Sequence, residues 1–304
     1  MKGEFAAIER LRELLPPAPP DEVGIGDDAA VILSPGGGRL LLAIDTVVAG
    51  IHADLSLTGL DDFGWKAVAT NVSDIAAMGG RPARALVSVA GPPGTNLDQL
   101  GSGIADAARA YCCPVVGGDL ASAPALVVTV ALLGTLDGPP VRRSGARPGD
   151  GIWVTGVLGL SAAGLRLLKE GKGVPLAAIA AHRRPTPVVE AGLAARAAGA
   201  SAMIDISDGL AADLGHLAAA SGVGIALDDI PVGEGATYDE ALTGGEDYVL
   251  AFTAPDPAAV REAFAGRPGL SPPIVIGACT ADPSQRTVAG RPLPASGGWE
   301  HAWH

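Results

Sequence analysis

Apolar and polar positions change along the first 140 residues with the periods of strands and helices. Four apolar runs bounded by turn residues predict strands, namely AAVILS, RLLLAID, ALVSVA and ALVVTVALLGTL. Two segments, 61–78 and 96–111, carry apolar residues at helical spacing and predict helices, and PVVGGD predicts the end of a further strand. Because strands and helices alternate, this part of the chain predicts one α/β unit.

The same alternation starts again after a polar, turn-rich segment, RRSGARPGDG. Strands are predicted for IWVTG, AMIDIS, VGIALDDI, DYVLAFTA and IVIGACT. Helices are predicted for SAAGLRLLKEG, PVVEAGLAARAAG and GLAADLGHLAAAS, and a short helix is predicted between DYVLAFTA and IVIGACT. A chain of 304 residues is also longer than one hydrophobic core usually supports. We therefore expect two domains, at residues 1–140 and 141–304.

The composition is that of a folded protein with packed cores, since 48% of the residues are hydrophobic and the mean hydropathy is +0.33. No stretch approaches the ~18 uninterrupted apolar residues of a transmembrane helix. The first residues, MKGEFAAIERLRELL, predict an amphipathic helix and lack the apolar core and cleavage site of a signal peptide. We therefore expect a cytoplasmic protein without a membrane partner.

The net charge of −12 makes nucleic acid an unsuitable partner, because phosphate backbones are bound by clustered lysines and arginines. Anionic ligands would have to bring their own cations. The cysteines, Cys112, Cys113 and Cys279, fit neither a disulfide framework nor the spacing of a zinc site. They are interpreted as small buried residues of a protein in a reducing compartment.

Carboxylates stand where the predicted strands and helices end. Asp27 is followed directly by Asp28 after a glycine turn, and further acids lie at strand ends or in a predicted helix, at Asp45, Asp74, Asp119, Asp205 and Asp208. Strand ends of an α/β sheet line the crevice in which ligands bind, so these acids can converge. Hard cations prefer oxygen ligands, and the pattern indicates a Mg²⁺ or Mn²⁺ site. Taken singly, each acid also fits a turn or a helix N-cap.

Several familiar catalytic motifs are excluded. GIGDDA has the letters of a dinucleotide-binding turn, but a predicted strand follows it where that motif requires a helix. The sequence contains no GxxxxGK[ST] phosphate loop, no HExxH zinc motif and no GxSxG nucleophile turn. The segment TGVLGLSAAG joins a predicted strand to a helix, and its backbone N–H groups either bind a phosphate or serve tight packing.

Nine motifs in order give the sequence a resemblance to thiamine-monophosphate kinases through nearly its whole length. They are GIGDDAAV, DTVVAGIH, KAVATNVSDIAAMGGRP, GGD, RSGARPGD, TGVLGLSAAGL, RPTP, IDISDGLAADLGH and GGEDYVL. The resemblance implies the two-domain fold of the aminoimidazole-ribotide synthetase superfamily, with an N-terminal mixed α/β domain that forms a dimer interface and a C-terminal α+β domain. It also implies transfer of the ATP γ-phosphoryl group to the phosphate of thiamine monophosphate, giving thiamine diphosphate.

The resemblance further implies roles for particular residues. Several Mg²⁺ ions would be bound by Asp28, Asp45, Asp74, Asp119, Asp205 and Asp208. ATP would contact Tyr111, Gly118, Asp119, Arg143 and Ser207, and the thiamine substrate would contact His52, Glu246 and Trp299. An aromatic face such as that of Trp299 suits the cationic thiazolium ring. No side chain is assigned as nucleophile or base, because a phosphate oxygen arrives deprotonated and needs positioning.

Two positions depart from the family pattern. Relatives have polar residues directly before the acid of the DT motif, whereas this chain has Ala43 and Ile44. This departure leaves room for a catalytically silent dimer that binds nucleotide or metal in the same fold. A sister ATP-dependent enzyme of the superfamily is the other alternative, although the chain lacks the reactive cysteines expected of selenophosphate synthetase and of the hydrogenase maturation protein.

Overall fold

The computed structural model describes residues 4–294 and Gly298. The N-terminal half is built around a five-stranded sheet whose strands are ordered β1-β2-β5-β3-β4. Its strands are β1 (Ala30–Leu33), β2 (Arg39–Val48), β3 (Arg81–Gly91), β4 (Val115–Ser122) and β5 (Val127–Leu136). The central strands pair antiparallel, and β4 is added in parallel at one edge. The long apolar strand predicted from ALVVTVALLGTL is thus the centre of this sheet.

From residue 4 onward, this half contains three helices, namely α1 (Glu4–Leu14), α2 (Leu60–Ala77) and α3 (Leu97–Ala110). The α3 helix begins at an N-cap, where the Asn96 side chain accepts the Gln99 N–H at 3.1 Å. It lies very close to α2, because a Cβ on Gly103 would collide with the Asp61 carbonyl oxygen. Glycine at this position therefore sets the distance between the two helices.

The C-terminal half is built around a seven-stranded sheet ordered β12-β11-β8-β10-β6-β9-β7. Its strands are β6 (Gly151–Val154), β7 (Ala202–Asp205), β8 (Gly224–Leu227), β9 (Leu250–Ala254), β10 (Ile274–Thr280), β11 (Arg286–Val288) and β12 (Arg291–Pro292). All neighbouring pairs are antiparallel except β8 with β11. The domain boundary predicted at residue 140 falls in the segment between β5 and β6.

In the described part of this half, six helices accompany the sheet, namely α4 (Leu160–Lys169), α5 (Leu176–Arg183), α6 (Val189–Ala197), α7 (Leu210–Ser221), α8 (Tyr238–Thr243) and α9 (Pro257–Ala265). The sequence pattern predicts α4, α6, α7 and a short helix at α9, but it misses α5 and α8. Both missed helices are short, and α8 depends on a capping box between Thr237 and Glu240.

Helix α2 is the element that joins the two halves. Thirteen of its eighteen residues are buried, and it packs against the first sheet, α3, α6 and β7. A Cβ on Gly192 in α6 would collide with the Ala76 carbonyl oxygen, so α6 also approaches α2 closely. The polar side chains of α2 must find their partners inside the protein, since so little of the helix faces water.

Among the helices that the structure describes, none combines the length and the apolar character needed to cross a membrane.

Candidate active site

Three carboxylates from distant parts of the chain meet between the two sheets. Asp28 precedes β1, Asp74 lies in the last turns of α2, and Asp205 ends β7. Each offers a carboxylate oxygen within 4.8 Å of those of the other two, as the ligands of a single cation would be. The sequence predicts these three acids as metal ligands, and the structure brings them together. We call them the acid cluster.

Arg143 is the cation that faces the acid cluster. Its Nη2 and Nε donate to Asp28 Oδ1 at 2.7 and 3.1 Å, and its backbone N–H donates to Asp27 Oδ1 at 2.9 Å. This explains the adjacent acids at the start of the chain, because one arginine binds both. Within the described part of the chain, Asp28 Oδ2 is buried and lacks a hydrogen-bond partner. An orphaned carboxylate oxygen of this kind suits a metal ion.

Burial and mutual repulsion disfavour ionisation of these acids. Burial, followed by the Asp28 charge, raises the pKa of Asp205 to about 7. Burial raises the pKa of Asp27 to about 6. The pKa of Asp74 lies well above its usual range because of burial and then the charges of Asp45, Asp205 and Asp28. One arginine therefore leaves an excess of negative charge, which a divalent cation would compensate.

Asp45 borders the acid cluster on β2. Burial raises the pKa of Asp45, while a hydrogen bond with the Thr70 side chain opposes the rise. Its charge acts on Asp74 and on Asp205, which places it within electrostatic reach of both. The preceding residues alternate, with Ala43 buried and Ile44 70% exposed on the opposite face of the sheet. The residues present therefore fit a cation bound by carboxylate oxygens.

A second set of polar residues, which the sequence pattern did not predict, holds these acids in place. Ser73, one residue before Asp74 on α2, donates to Asp205 Oδ2 at 2.7 Å. Asp213 Oδ2 accepts the N–H groups of Ser207, Asp208 and Gly209 at 3.0–3.1 Å. This buried carboxylate therefore fixes the turn that carries the predicted ATP and metal residues. Its position in the first turn of α7 is the signal that could have identified it.

Asp208 and Asp119 are predicted metal ligands that lie outside the acid cluster. Asp208 is half-buried on the turn held by Asp213, three residues after Asp205. Asp119 is exposed on the edge strand β4. It lines an open cavity of about 750 Å³ between β4, β3 and α3. Their roles as metal ligands stay predictions from the sequence.

The predicted ATP residues divide between two places. Gly118 lines the same cavity as Asp119, next to the small residues that α3 presents, such as Gly101 and Ala105. Tyr111 follows α3 and packs against Trp65, with ring centroids 5.9 Å apart. Burial raises the pKa of the Tyr111 hydroxyl. Of the other two, Arg143 contacts the acid cluster through Asp28, and Ser207 lies on the turn held by Asp213, two residues after Asp205.

Two predicted substrate residues are joined by a lysine that the sequence analysis did not single out. Lys66 on α2 is fully buried, and its Nζ donates to both carboxylate oxygens of Glu246 at 2.9 Å. The same Nζ donates to the His52 carbonyl oxygen at 3.1 Å. The Lys66–Glu246 pair thus links the loop after β2 with the loop before β9. The third predicted residue, Trp299, lies outside the described residues.

The loop that carries Glu246 has an unusual backbone. Glu246 and Tyr248 have φ values of +65° and +51°, in a region of backbone conformation that residues other than glycine rarely adopt. Their N–H groups donate to Ser207 O at 2.7 Å and Ile206 O at 2.8 Å. Burial, and then the charge of Glu246, raises the pKa of Tyr248 well above its usual range. Strained residues of this kind concentrate at functional sites.

Asp247 occupies the turn that the sequence offered as a possible phosphate-binding site. The turn in TGVLGLSAAG leads into α4, and its N–H groups were candidates for binding a phosphate. Asp247 Oδ2 accepts the Gly159 N–H at 2.5 Å, and Oδ1 accepts the Ser161 N–H at 3.2 Å. Burial raises the pKa of Asp247 to about 6, against the lowering effect of these bonds. The Asp247 carboxylate therefore already binds the N–H groups that a phosphate would need at this turn.

One face of α2 connects the two ends of the site. Lys66, Thr70 and Asp74 follow one another at intervals of four residues and therefore lie in one row. Eight residues of helix separate the first from the last, which corresponds to about 12 Å along the axis. The row runs from the Lys66–Glu246 pair to the acid cluster. The site is thus elongated, with the carboxylate cluster at one end.

Comparison with known proteins identifies related chains over nearly the whole length. The model of the AIR synthase related protein N-terminal domain matches residues 26–136, and that of the C-terminal domain matches residues 147–289. Thiamine-monophosphate kinase of Mycobacterium tuberculosis is 38% identical, covering 98% of this chain and 91% of the relative. The Salmonella typhimurium enzyme of that name is 39% identical, covering 84% and 83%.

Solved structures agree with this relation. The structure described as AaThiL complexed with AMPPCP and TMP has a TM-score of 0.86 and 34% identity, covering 98% of this chain and 97% of that chain. The hydrogenase maturation protein HypE of E. coli has a TM-score of 0.67 at 19% identity, which shows the shared fold alone. The expected two-domain architecture is therefore confirmed. The chain belongs to the thiamine-monophosphate kinase family of AIR synthase related proteins.

Proposed function

We propose that the protein transfers the γ-phosphoryl group of ATP to the phosphate of thiamine monophosphate, giving thiamine diphosphate and ADP. The observation that carries this proposal is the elongated site along α2. Its acid cluster suits phosphates accompanied by cations, and the opposite end offers the Lys66–Glu246 pair to a polar ring. The relatives bear the name of this activity, and the complex with AMPPCP and TMP gives the same pair of ligand types for that protein.

Mg²⁺ is the cation proposed for the acid cluster. Asp28, Asp74 and Asp205 would hold it, with Asp45 alongside and Asp208 and Asp119 as further proposed ligands. When bound, Mg²⁺ neutralises phosphate charge and orients the phosphates toward one another. This requirement follows from the acidic site, because three carboxylates without a cation would repel both ATP and the acceptor.

The protein's own side chains would position the two substrates. Arg143 faces the acid cluster with a guanidinium group, which suits phosphate oxygens. Gly118 and Asp119 line the open cavity between β4 and α3, which we assign to the nucleotide together with Ser207 and Tyr111. At the other end, His52 and Glu246 would contact the thiamine part. The proposed transfer is direct, since a phosphate oxygen needs alignment more than deprotonation.

The proposed reaction predicts a specific product. Incubation of the protein with ATP, Mg²⁺ and thiamine monophosphate should yield thiamine diphosphate and ADP in equal amounts. Chromatography resolves both products, and a reaction without protein is the control. ADP formed at the same rate without the acceptor would indicate an ATPase, and ATP binding without turnover would indicate the silent dimer.

We also propose that two copies of the chain associate through the outer face of the first sheet. One face of this sheet packs on its helices, but the other presents apolar side chains, with Leu42 at 42%, Ile44 at 70% and Leu86 at 51% exposure. Strand register places Ile44 and Leu86 on either side of Ala131. An exposed apolar patch of this kind suits a second copy of the same surface.

This interface predicts a homodimer in solution at micromolar concentration. Replacing the exposed Ile44 by aspartate puts a charge into the patch on both copies, and we expect the variant to be a monomer. Light scattering coupled to size-exclusion chromatography measures both masses. The matched control is Val275→Asp, which charges a similarly exposed strand residue of the other sheet and should leave the dimer intact. A monomeric wild type would contradict the proposal.

A cytoplasmic location remains a prediction from the sequence.

A further inference from the structure

Lys66 has used all of its hydrogen-bonding capacity inside the protein. An ammonium group has three protons, and Nζ has three acceptors, the two oxygens of Glu246 and the His52 carbonyl oxygen. The side chain of Lys66 is only 1% exposed. It therefore has no donor left for a phosphate, unlike the lysines that bind phosphates in other kinases. Its chemistry acts on Glu246.

Glu246 has capacity left, in contrast to Lys66. A carboxylate can accept about four hydrogen bonds, and Lys66 supplies one to each oxygen. The side chain of Glu246 is 25% exposed, so part of it faces the open side of the pair. A carboxylate and the lysine paired with it have little net charge together. Such a carboxylate attracts hydrogen-bond donors better than it attracts a distant cation.

The geometry of Glu246 depends on this pair. The backbone is held at a positive φ by the bond from its N–H to the Ser207 carbonyl oxygen. The carboxylate is then fixed by Lys66, which belongs to the other half of the molecule. His182 is a further neighbour, and its Nδ1 lies 3.7 Å from Glu246 Oε2. Burial, followed by the Lys66 charge, lowers the pKa of His182 to about 3, so it is neutral and cannot replace the lysine.

We propose that Lys66 is a positioning residue that holds the Glu246 carboxylate as the hydrogen-bond acceptor for the ring amine of the acceptor substrate. This inference rests on the proposed function. Outside its phosphate and in its neutral-pH form, thiamine monophosphate has N–H or O–H donors only on the exocyclic amine of its pyrimidine ring. The thiazolium ring has C–H groups alone. The pair therefore recognises a heteroaromatic amine, about 12 Å along α2 from the acid cluster.

The test compares two acceptors and four proteins. The acceptors are thiamine monophosphate and its analogue in which hydrogen replaces the ring amine. The proteins are wild type, Lys66→Met, which keeps a similar volume, Glu246→Gln, and the double variant. For each, kcat and KM are measured for both acceptors at saturating ATP and Mg²⁺. Calorimetry measures the binding of thiamine monophosphate without ATP, which reports on the acceptor site independently of turnover.

Wild type should prefer the amine over the analogue roughly 10- to 100-fold in kcat/KM, the range expected of a hydrogen bond to a charged group. In Lys66→Met this preference should fall to about threefold or less, through a higher KM for the acceptor, while the KM for ATP stays unchanged. The double variant should resemble Glu246→Gln, because Lys66 acts only through Glu246.

Three results would overturn the inference. One is a Lys66→Met protein that keeps the preference for the amine, and another is an equal rise in the KM values for acceptor and ATP. The third is a double variant whose loss is the product of the two single losses. If Lys66→Met does not fold because Glu246 has lost its charged partner, the double variant lacks the Glu246 charge, and its comparison with Glu246→Gln still decides the question.

A matched control separates the pair from general contact between the halves. Arg81→Gln breaks another ion pair between β3 and α6, in which Arg81 Nη1 lies 2.6 Å from Glu190 Oε1. This variant should keep the wild-type preference for the amine. If wild type forms no thiamine diphosphate, the proposed function itself falls and the inference falls with it. If wild type turns over but the variant cycle is multiplicative, only the inference falls.

Discussion

Replacing Asp74 by asparagine should lower kcat by about 10³-fold or more while the protein stays folded. Asp74 shares its site with Asp28 and Asp205, and each supplies an oxygen to the same small volume. Asparagine keeps the size of the side chain but removes one negative charge. Mg²⁺ would then be held by fewer charges at the place where the phosphates of both substrates must meet.

The same substitution should not lower the thermal stability of the protein when Mg²⁺ is absent, although it lowers kcat. Because the pKa of Asp74 is raised, the folded state binds its proton more tightly than the unfolded state does. Ionised Asp74 therefore destabilises the metal-free fold as pH rises from its unfolded pKa toward neutrality. Asparagine avoids this cost, so the variant should melt at or above the wild-type temperature at pH 7.5 without Mg²⁺.

Thermal unfolding with and without Mg²⁺ measures both effects together with turnover. Wild type should gain stability from Mg²⁺ by mass action, and Asp74→Asn should gain markedly less. The control is Asp282→Asn, which changes an exposed acid whose carboxylate accepts hydrogen bonds from Ser284 in a turn, and it should leave turnover and the response to Mg²⁺ intact. Near wild-type kcat in Asp74→Asn at saturating Mg²⁺ would place this acid outside the reaction.

Free thiamine should be a poor acceptor, with kcat/KM lower than that of thiamine monophosphate by at least about 10³-fold. Thiamine would keep its ring contacts near Glu246 but would have no phosphate to place at the acid cluster. Its hydroxyl would also have to lose a proton, whereas a phosphate oxygen arrives already charged. His182, whose Nδ1 lies 3.7 Å from Glu246 Oε2, is engaged with Ser161 Oγ at 3.3 Å.

The comparison requires each acceptor to be supplied separately with ATP and Mg²⁺. Chromatography then distinguishes thiamine diphosphate from thiamine monophosphate, and ADP release gives the rate. Formation of thiamine monophosphate from thiamine at a comparable rate would reject a phosphate as the required acceptor. The Asp74→Asn protein, which should be inactive with both acceptors, controls for a contaminating kinase.

The sequence predicted the acid cluster because its signals are local. Asp28, Asp74 and Asp205 each stand beside a turn, a strand end or a recognisable motif, and strand ends of an α/β fold converge. Lys66 carries no such signal. A single lysine in a helix usually lies in water, and its burial here depends on Glu246, 180 positions further along the chain. Only the three-dimensional structure reveals that the pair exists.

The residues that support the site were missed for a related reason. In the sequence, Asp213 and Asp247 do not stand out from the other acidic residues near them. In the structure, each accepts backbone N–H groups at the start of a helix. The positive φ values of Glu246 and Tyr248 are also invisible in the sequence, since glycine is the usual marker of that conformation. The long strands and helices were predicted well because their periods extend over several turns or residue pairs.

The shared position of α2 affects how such a protein can change during evolution. Lys66 and Ser73 belong to the N-terminal half, but their partners, Glu246 and Asp205, belong to the C-terminal half. A recombinant chain that takes its halves from two diverged parents could place the buried Lys66 or Asp205 opposite a residue that cannot bind it. The halves are therefore not interchangeable modules, and gene fusion or shuffling at their junction would succeed only between parents that agree at both of these pairs.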